Sequence, residues 1–195
     1  MKGGPGLKKN QTAFLKLCLA DALVSLMKER PYAEIDVSEV CGRSGVGRTT
    51  FYRLCGGKGC MDALLLFKLE YEWERYALSH GEELCSDFGC SLLRCVYDSR
   101  ELVRLMYENG LEDALRRAFE RLTDGAEPPD SESGYLASFF AYGFFGVICR
   151  WIQNGFDETP EQVCACLSSA LGGVCQKLRP AHVPARNGIQ SEREA

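Results

Sequence analysis

The chain has 195 residues, of which 46% are hydrophobic and 26% charged, a composition that supports an ordinary core and excludes wholesale disorder. The formal net charge of −4 hides an asymmetry: residues 1–60 hold ten Lys and Arg against five Asp and Glu (net +5), and residues 61–195 hold thirteen against twenty-two (net −9). The balance excludes a uniformly basic polyanion binder and suits a protein that offers one positive end to a polyanion.

Eleven cysteines are present, and residues 1–10 are polar and Gly-rich, without the apolar segment of a secretory signal. The expected compartment is the reducing cytoplasm, with the thiols free. Residues 1–10, with Lys2, Lys8 and Lys9, read as a flexible basic arm. Strand-type alternation is scarce, and apolar residues recur mostly at three and four, so the fold class is all-α.

A first helix is expected over residues 11–29, with Leu15, Cys18, Leu19, Ala22, Leu23 and Leu26 on one face and Pro31 as its stop. A second, short helix starts at Asp36, an N-cap whose capping box is completed by Glu39. Ser44-Gly45-Val46-Gly47 reads as a tight turn. A third helix covers residues 48–55 and is broken by Gly56-Gly57. A long fourth helix is expected over 58–80, then helices over 83–98 and 100–122, the latter broken at Asn109-Gly110. Residues 123–133 read as a surface loop, 134–154 and 160–178 as two more helices, and the tail from Arg179 as disordered. The apolar stretch 135–152 is near the minimum spanning length but contains Ser138 and Arg150, and is read as a buried interface helix and not a membrane span.

Two short helices joined by a Gly-containing turn make a helix-turn-helix, whose second helix fits the major groove of DNA. Here that helix offers Arg48, Arg53, Thr49, Thr50 and Tyr52, with Phe51 facing inward as its anchor. Lys58 opens the next helix, where the helix dipole favours a phosphate.

The segment Asp36-Val-Ser-Glu-Val-Cys-Gly-Arg-Ser-Gly-Val-Gly-Arg-Thr-Thr-Phe-Tyr-Arg53 closely resembles the signature of the TetR family of bacterial transcriptional regulators. Its setting agrees, with Glu29-Arg30-Pro31-Tyr32 before it and Gly57-Lys58 and Leu64 after it. The resemblance covers residues 11–70. It implies an N-terminal three-helix DNA-binding domain (11–57), a helical regulatory and dimerisation body (58–178), and a ligand-responsive repressor that binds a palindromic operator as a homodimer. By position it puts Arg48, Thr49, Thr50, Tyr52 and Lys58 at DNA, and Ser38 at a phosphate; Arg53 joins the expected DNA-binding residues as a long cation on the same helix. The sequence departs from the pattern where Leu54-Cys55 replaces His-Phe, Gly47 replaces a Ser or Thr cap, and Gly59 replaces an acid. These changes are expected to loosen the junction with the fourth helix.

The stretch Phe139 to Gly155 resembles the penultimate helix of the same family, which implies a four-helix dimer interface completed by residues 161–178. The expected interface residues are Phe140, Gly143, Phe144, Val147, Trp151, Leu167 and Leu171. A pocket for an unidentified small-molecule effector is expected among Trp73, Tyr76, Phe88, Tyr97, Met106 and Tyr107.

Three rival classes are weighed. A metal or redox protein would favour Cys-x2–4-Cys pairs, and no Cys-x-x-Cys occurs. Cys85, Cys90 and Cys95 are spaced by five, so neighbours point about 140° apart on a helix, and Cys164 and Cys166 about 200° apart; neither set converges. A thiol-responsive regulator of the same fold, with Cys55 and Cys60 nearest the reading head, stays open. An enzyme has little to work with: the only histidines are His80 and His182, and no phosphate loop, nucleophile elbow or His-Glu metal motif appears. A family member that has lost DNA binding and acts through protein partners is the third alternative. No metal and no cofactor are expected.

Overall fold

The computed structural model describes residues 5–56, 61–81, 87–123 and 131–171. Among these there are nine α-helices and no strand: α1 Pro5–Met27, α2 Val37–Ser44, α3 Arg48–Cys55, α4 Asp62–Ser79, α5 Phe88–Asp98, α6 Arg100–Glu108, α7 Glu112–Thr123, α8 Ser131–Gln153 and α9 Pro160–Leu171, with a 3-10 turn at Tyr32–Glu34. The all-α reading therefore holds. The expected basic arm is shorter than its sequence suggested, because α1 already begins at Pro5, a residue whose fixed φ suits the first helical position. Residues 1–4 and the expected disordered tail, 179–195, lie outside the described residues.

The apolar stripe of α1 buries Leu19, Ala22, Leu23 and Leu26, with Leu15 and Cys18 half-buried against the same core. That face packs on α2 and α4. One continuous cluster then runs from α1 through α4 to α8 and ends on Phe156, so head and body share a core. The break expected at Asn109-Gly110 is real: Gly110 takes a left-handed φ of 71° and ends α6.

Head and body are also pinned at three polar points. The Lys28 ammonium lies 2.7 Å from Glu101, and Lys68 lies 2.7 Å from Asp21. The Tyr32 amide donates to Asn109 Oδ1 at 2.7 Å, while Asn109 Nδ2 donates to the Leu105 carbonyl at 2.8 Å. Asn109 thus ties the turn between α1 and α2 to the end of α6.

The far end of α8 is an aromatic knot. Trp151 stacks on Tyr97 at 5.5 Å and meets Phe156 at 5.1 Å, and its indole N–H donates to the Glu158 carbonyl at 3.0 Å. Phe156 holds a left-handed φ of 59°, which a bulky residue tolerates only when its surroundings fix it; here the ring is buried. No described helix is long and apolar enough to cross a membrane.

Candidate nucleic-acid interface

The helix-turn-helix assembles as its local chemistry demands. Asp36 accepts hydrogen bonds from the amides of Ser38 at 2.6 Å and Glu39 at 3.1 Å, and Glu39 Oε2 accepts from the Asp36 amide at 3.0 Å, so the expected capping box is complete. Asp36→Ala is expected to cost about 1 kcal/mol, read as a shift in the urea midpoint at constant slope. Glu39 also binds the Arg30 guanidinium, and Arg43 binds Glu29 and donates to Ser25 Oγ at 3.0 Å. The hydrogen bond from Arg43 holds the Glu29 carboxyl below the ordinary carboxylate range. α2 is thereby fastened to the end of α1.

Gly45 closes α2 in the left-handed region at φ 72°, a conformation that side chains other than glycine disfavour. Val46 turns into the core, its amide held by Ser44 Oγ at 3.2 Å. Gly47 is the N-cap of α3 with ordinary extended backbone, so the loss of a capping side chain there leaves the turn geometry intact. Phe51 is the one buried residue of α3, at 0% exposure.

Around that anchor the rest of α3 faces outward. Arg48, Thr49, Tyr52 and Arg53 are exposed, and Thr50 and Ser38 are half-buried. Tyr52 is 50% exposed, with its ring edge-on to Phe51 at 5.5 Å. Among the described residues, Arg48 and Arg53 enter no ion pair, whereas Arg30 and Arg43 on the same head are both engaged with carboxylates. Two uncommitted cations, a phenol and two threonines on an exposed helix face can meet a polyanion without first breaking an internal contact. Lys58 and Cys60 lie outside the described residues. At the junction expected to be loose, Leu54 and Cys55 are half-buried against the core, and Gly56 ends α3 at φ 81°.

The expected pocket residues do not converge. Trp73 stacks on Tyr76 and meets Phe88 edge-on at 5.6 Å, and it borders a narrow apolar cavity of about 30 Å³ with Leu92, Val96 and Phe119. Tyr76 instead lines a polar cavity of about 380 Å³ between α1, α4, α5 and α6, with Val24, Lys68, Glu72, Arg75, Asp98 and Glu101. Met106 is core, Tyr97 belongs to the Trp151 knot, and the Tyr107 hydroxyl accepts from Gln153 Nε2 at 2.8 Å.

The expected dimer residues also divide. Phe140, Phe144 and Trp151 are buried in the protomer's own core, so these three side chains are not open to a second chain, contrary to expectation. Val147 and Leu167 are half-buried and Gly143 is exposed, while the side chain of Leu171 lies outside the described residues. The outer face of α8 presents Tyr135, Phe139 and Tyr142, at 79%, 58% and 54% exposure. A sulfur contact that spacing within single helices did not reveal joins two elements: Cys90 of α5 and Cys164 of α9 form a disulfide, so the expectation that all thiols are free is corrected.

An all-helical chain with a helix-turn-helix head whose Arg48 and Arg53 enter no ion pair among the described residues, set on a larger helical body, has the architecture of a transcriptional regulator. Residues 87–172 match the family model TetR_C_8, described as a transcriptional regulator C-terminal region, which supports the TetR resemblance of the head. No curated protein matches the chain.

Proposed function

We propose that the protein is a ligand-responsive repressor that binds a two-fold symmetric DNA operator as a homodimer in the cytoplasm. The observation that carries this reading is the exposed face of α3, where Arg48, Thr49, Tyr52 and Arg53 project around the buried Phe51. In this reading the guanidinium groups reach base edges or phosphates, Tyr52 and Ser38 donate hydroxyl hydrogen bonds to phosphate, and Lys58 adds a third cation.

The dimer face is assigned to the outer side of α8, with Tyr135, Phe139 and Tyr142. Gly143 and Gly146 interrupt this face, and a Cβ at either would meet nothing within 4 Å. Their missing side chains therefore serve no contact inside the protomer, and the flat strip they leave suits the close approach of a second α8. A dimer sets two reading heads about one DNA turn apart.

The effector site is assigned to the cavity of about 380 Å³, because Val24 of the head and Glu101 and Leu102 of α6 line it together. A ligand there touches the two parts joined through Lys68–Asp21, Lys28–Glu101 and Asn109–Tyr32. It would favour one of two head positions by its differential contacts.

The test is selection of binding sites from random duplex DNA with the purified protein. A palindromic consensus is expected. Recovery of no sequence preference, with the protein folded, refutes operator binding and favours the reading in which the fold acts through protein partners.

A further inference from the structure

We infer that Cys90 and Cys164 are a reversible oxidation site whose disulfide locks α9 onto α5. The inference is separate from DNA binding; it uses the geometry of the body and rests on the proposed cytoplasmic setting. It concerns a different pair from the thiols near the reading head.

α9 is lightly seated. Beyond Pro160 at its start, none of its described side chains is fully buried, and it holds to the core through the half-buried Val163, Cys164 and Leu167. Its partner is α5. Two contacts one turn apart join them. Arg94 Nε donates to Glu161 Oε1 at 3.0 Å, and Cys164, three residues after Glu161, bonds to Cys90, four residues before Arg94. The Cα atoms of the cysteines are 5.6 Å apart, the normal span of a disulfide, so no backbone movement is needed to make or break the bond. In a reducing compartment a bond of this kind is transient, and transient disulfides serve sensing or catalysis.

Access assigns the order of events. Cys164 is half-buried and Cys90 is buried, so Cys164 meets the oxidant first. Its thiolate attacks one sulfur of a low-molecular-weight disulfide and releases one thiolate. The Cys90 thiolate then attacks Cys164 Sγ and expels the second. Two protein thiols are oxidised, one external disulfide becomes two thiols, and the two protons pass through water from the protein sulfurs to the departing thiolates. Three other thiols, the buried Cys95 and Cys41 and the half-buried Cys149, are poor competitors. Burial, with the Asp98 and Glu72 carboxylates adding to it, pushes Cys95 up to about 12, and burial also raises Cys41 and Cys149.

The same sulfurs have a rival use, because the Asp87 carboxylate lies with them in a group whose ligand atoms are all within 4.8 Å of one another. The experiment separates the two. The full chain is equilibrated with an excess of a monothiol or of its disulfide, then analysed by peptide mapping, amide hydrogen exchange and thermal unfolding. The same protein, reduced, is titrated with zinc. The expected result is a linked Cys90–Cys164 peptide in the oxidised sample alone. In the reduced sample Tm should be about 10 °C lower and exchange across α9 about tenfold faster or more. Cys90→Ser/Cys164→Ser should match the reduced protein in both buffers, and Cys166→Ser, at an exposed position, should respond as wild type. If the double variant does not fold, chemical reduction of the wild type reads the same quantities. Three results overturn the inference: a bond that survives excess monothiol, an α9 whose protection ignores the redox state, or a reduced pair that holds one zinc ion and resists the oxidant.

Discussion

Phe51→Ala is expected to destabilise the reading head by about 3–5 kcal/mol and to abolish DNA binding as a consequence of unfolding. α3 is eight residues long, too short to persist as a helix on its own. Its one buried side chain is Phe51, which joins Val40, Val46 and the apolar face of α1 in a shared core. Removing the ring removes the transfer free energy of a whole aromatic and leaves a cavity between three elements. The flanking glycines, Gly47 without a capping side chain and Gly56 at φ 81°, cap the helix through their backbones but add no side-chain contact that could hold it in its place. Urea denaturation followed by far-ultraviolet dichroism reads the loss. Tyr52→Ala is the matched control, since half its surface is already in water and its removal should cost under about 1 kcal/mol. A Phe51→Ala protein within 1 kcal/mol of wild type would show that the head does not depend on this anchor.

The head was legible in the sequence because its signals are local. The capping box spans four residues, the left-handed turn is marked by Gly45, and α3 runs from Arg48 to Cys55 as the motif predicts. The body was less legible for a physical reason that α8 makes plain. That helix is apolar on nearly all sides, so periodicity does not say which side faces the protomer's own core. Phe139 and Phe140 are neighbours of the same type, yet the first is 58% exposed and the second 2%. The Cys90–Cys164 bond was hidden for a related reason. Helical spacing relates only cysteines of the same helix, whereas these partners stand 74 residues apart on two helices that only tertiary packing brings together. The aromatic residues expected to line one pocket are likewise split between a narrow apolar cavity, a polar one and the Trp151 knot, because aromatic character alone does not fix a neighbour.

The complementary experiment leaves the fold alone. Arg48→Ala/Tyr52→Ala is expected to weaken operator binding about a hundredfold or more while the unfolding midpoint stays within error. The magnitude follows from about 1–3 kcal/mol for each well-placed base or phosphate contact. The expected silence in stability follows from exposure: both side chains project from the outer face of α3, and no ion pair among the described residues involves Arg48. Salt separates the roles of the cations. Wild-type affinity should fall steeply between low and physiological salt, since neutralised phosphates release counterions. Arg53→Ala should lower that slope by about one unit if Arg53 meets a phosphate, and leave it unchanged while relaxing sequence preference if it meets a base. Affinity that is flat in salt, or unchanged in the double variant, would remove α3 as the reading element. The weight would then pass to the acidic body, whose net charge of −9 over residues 61–195 repels DNA and leaves a protein partner as the remaining target.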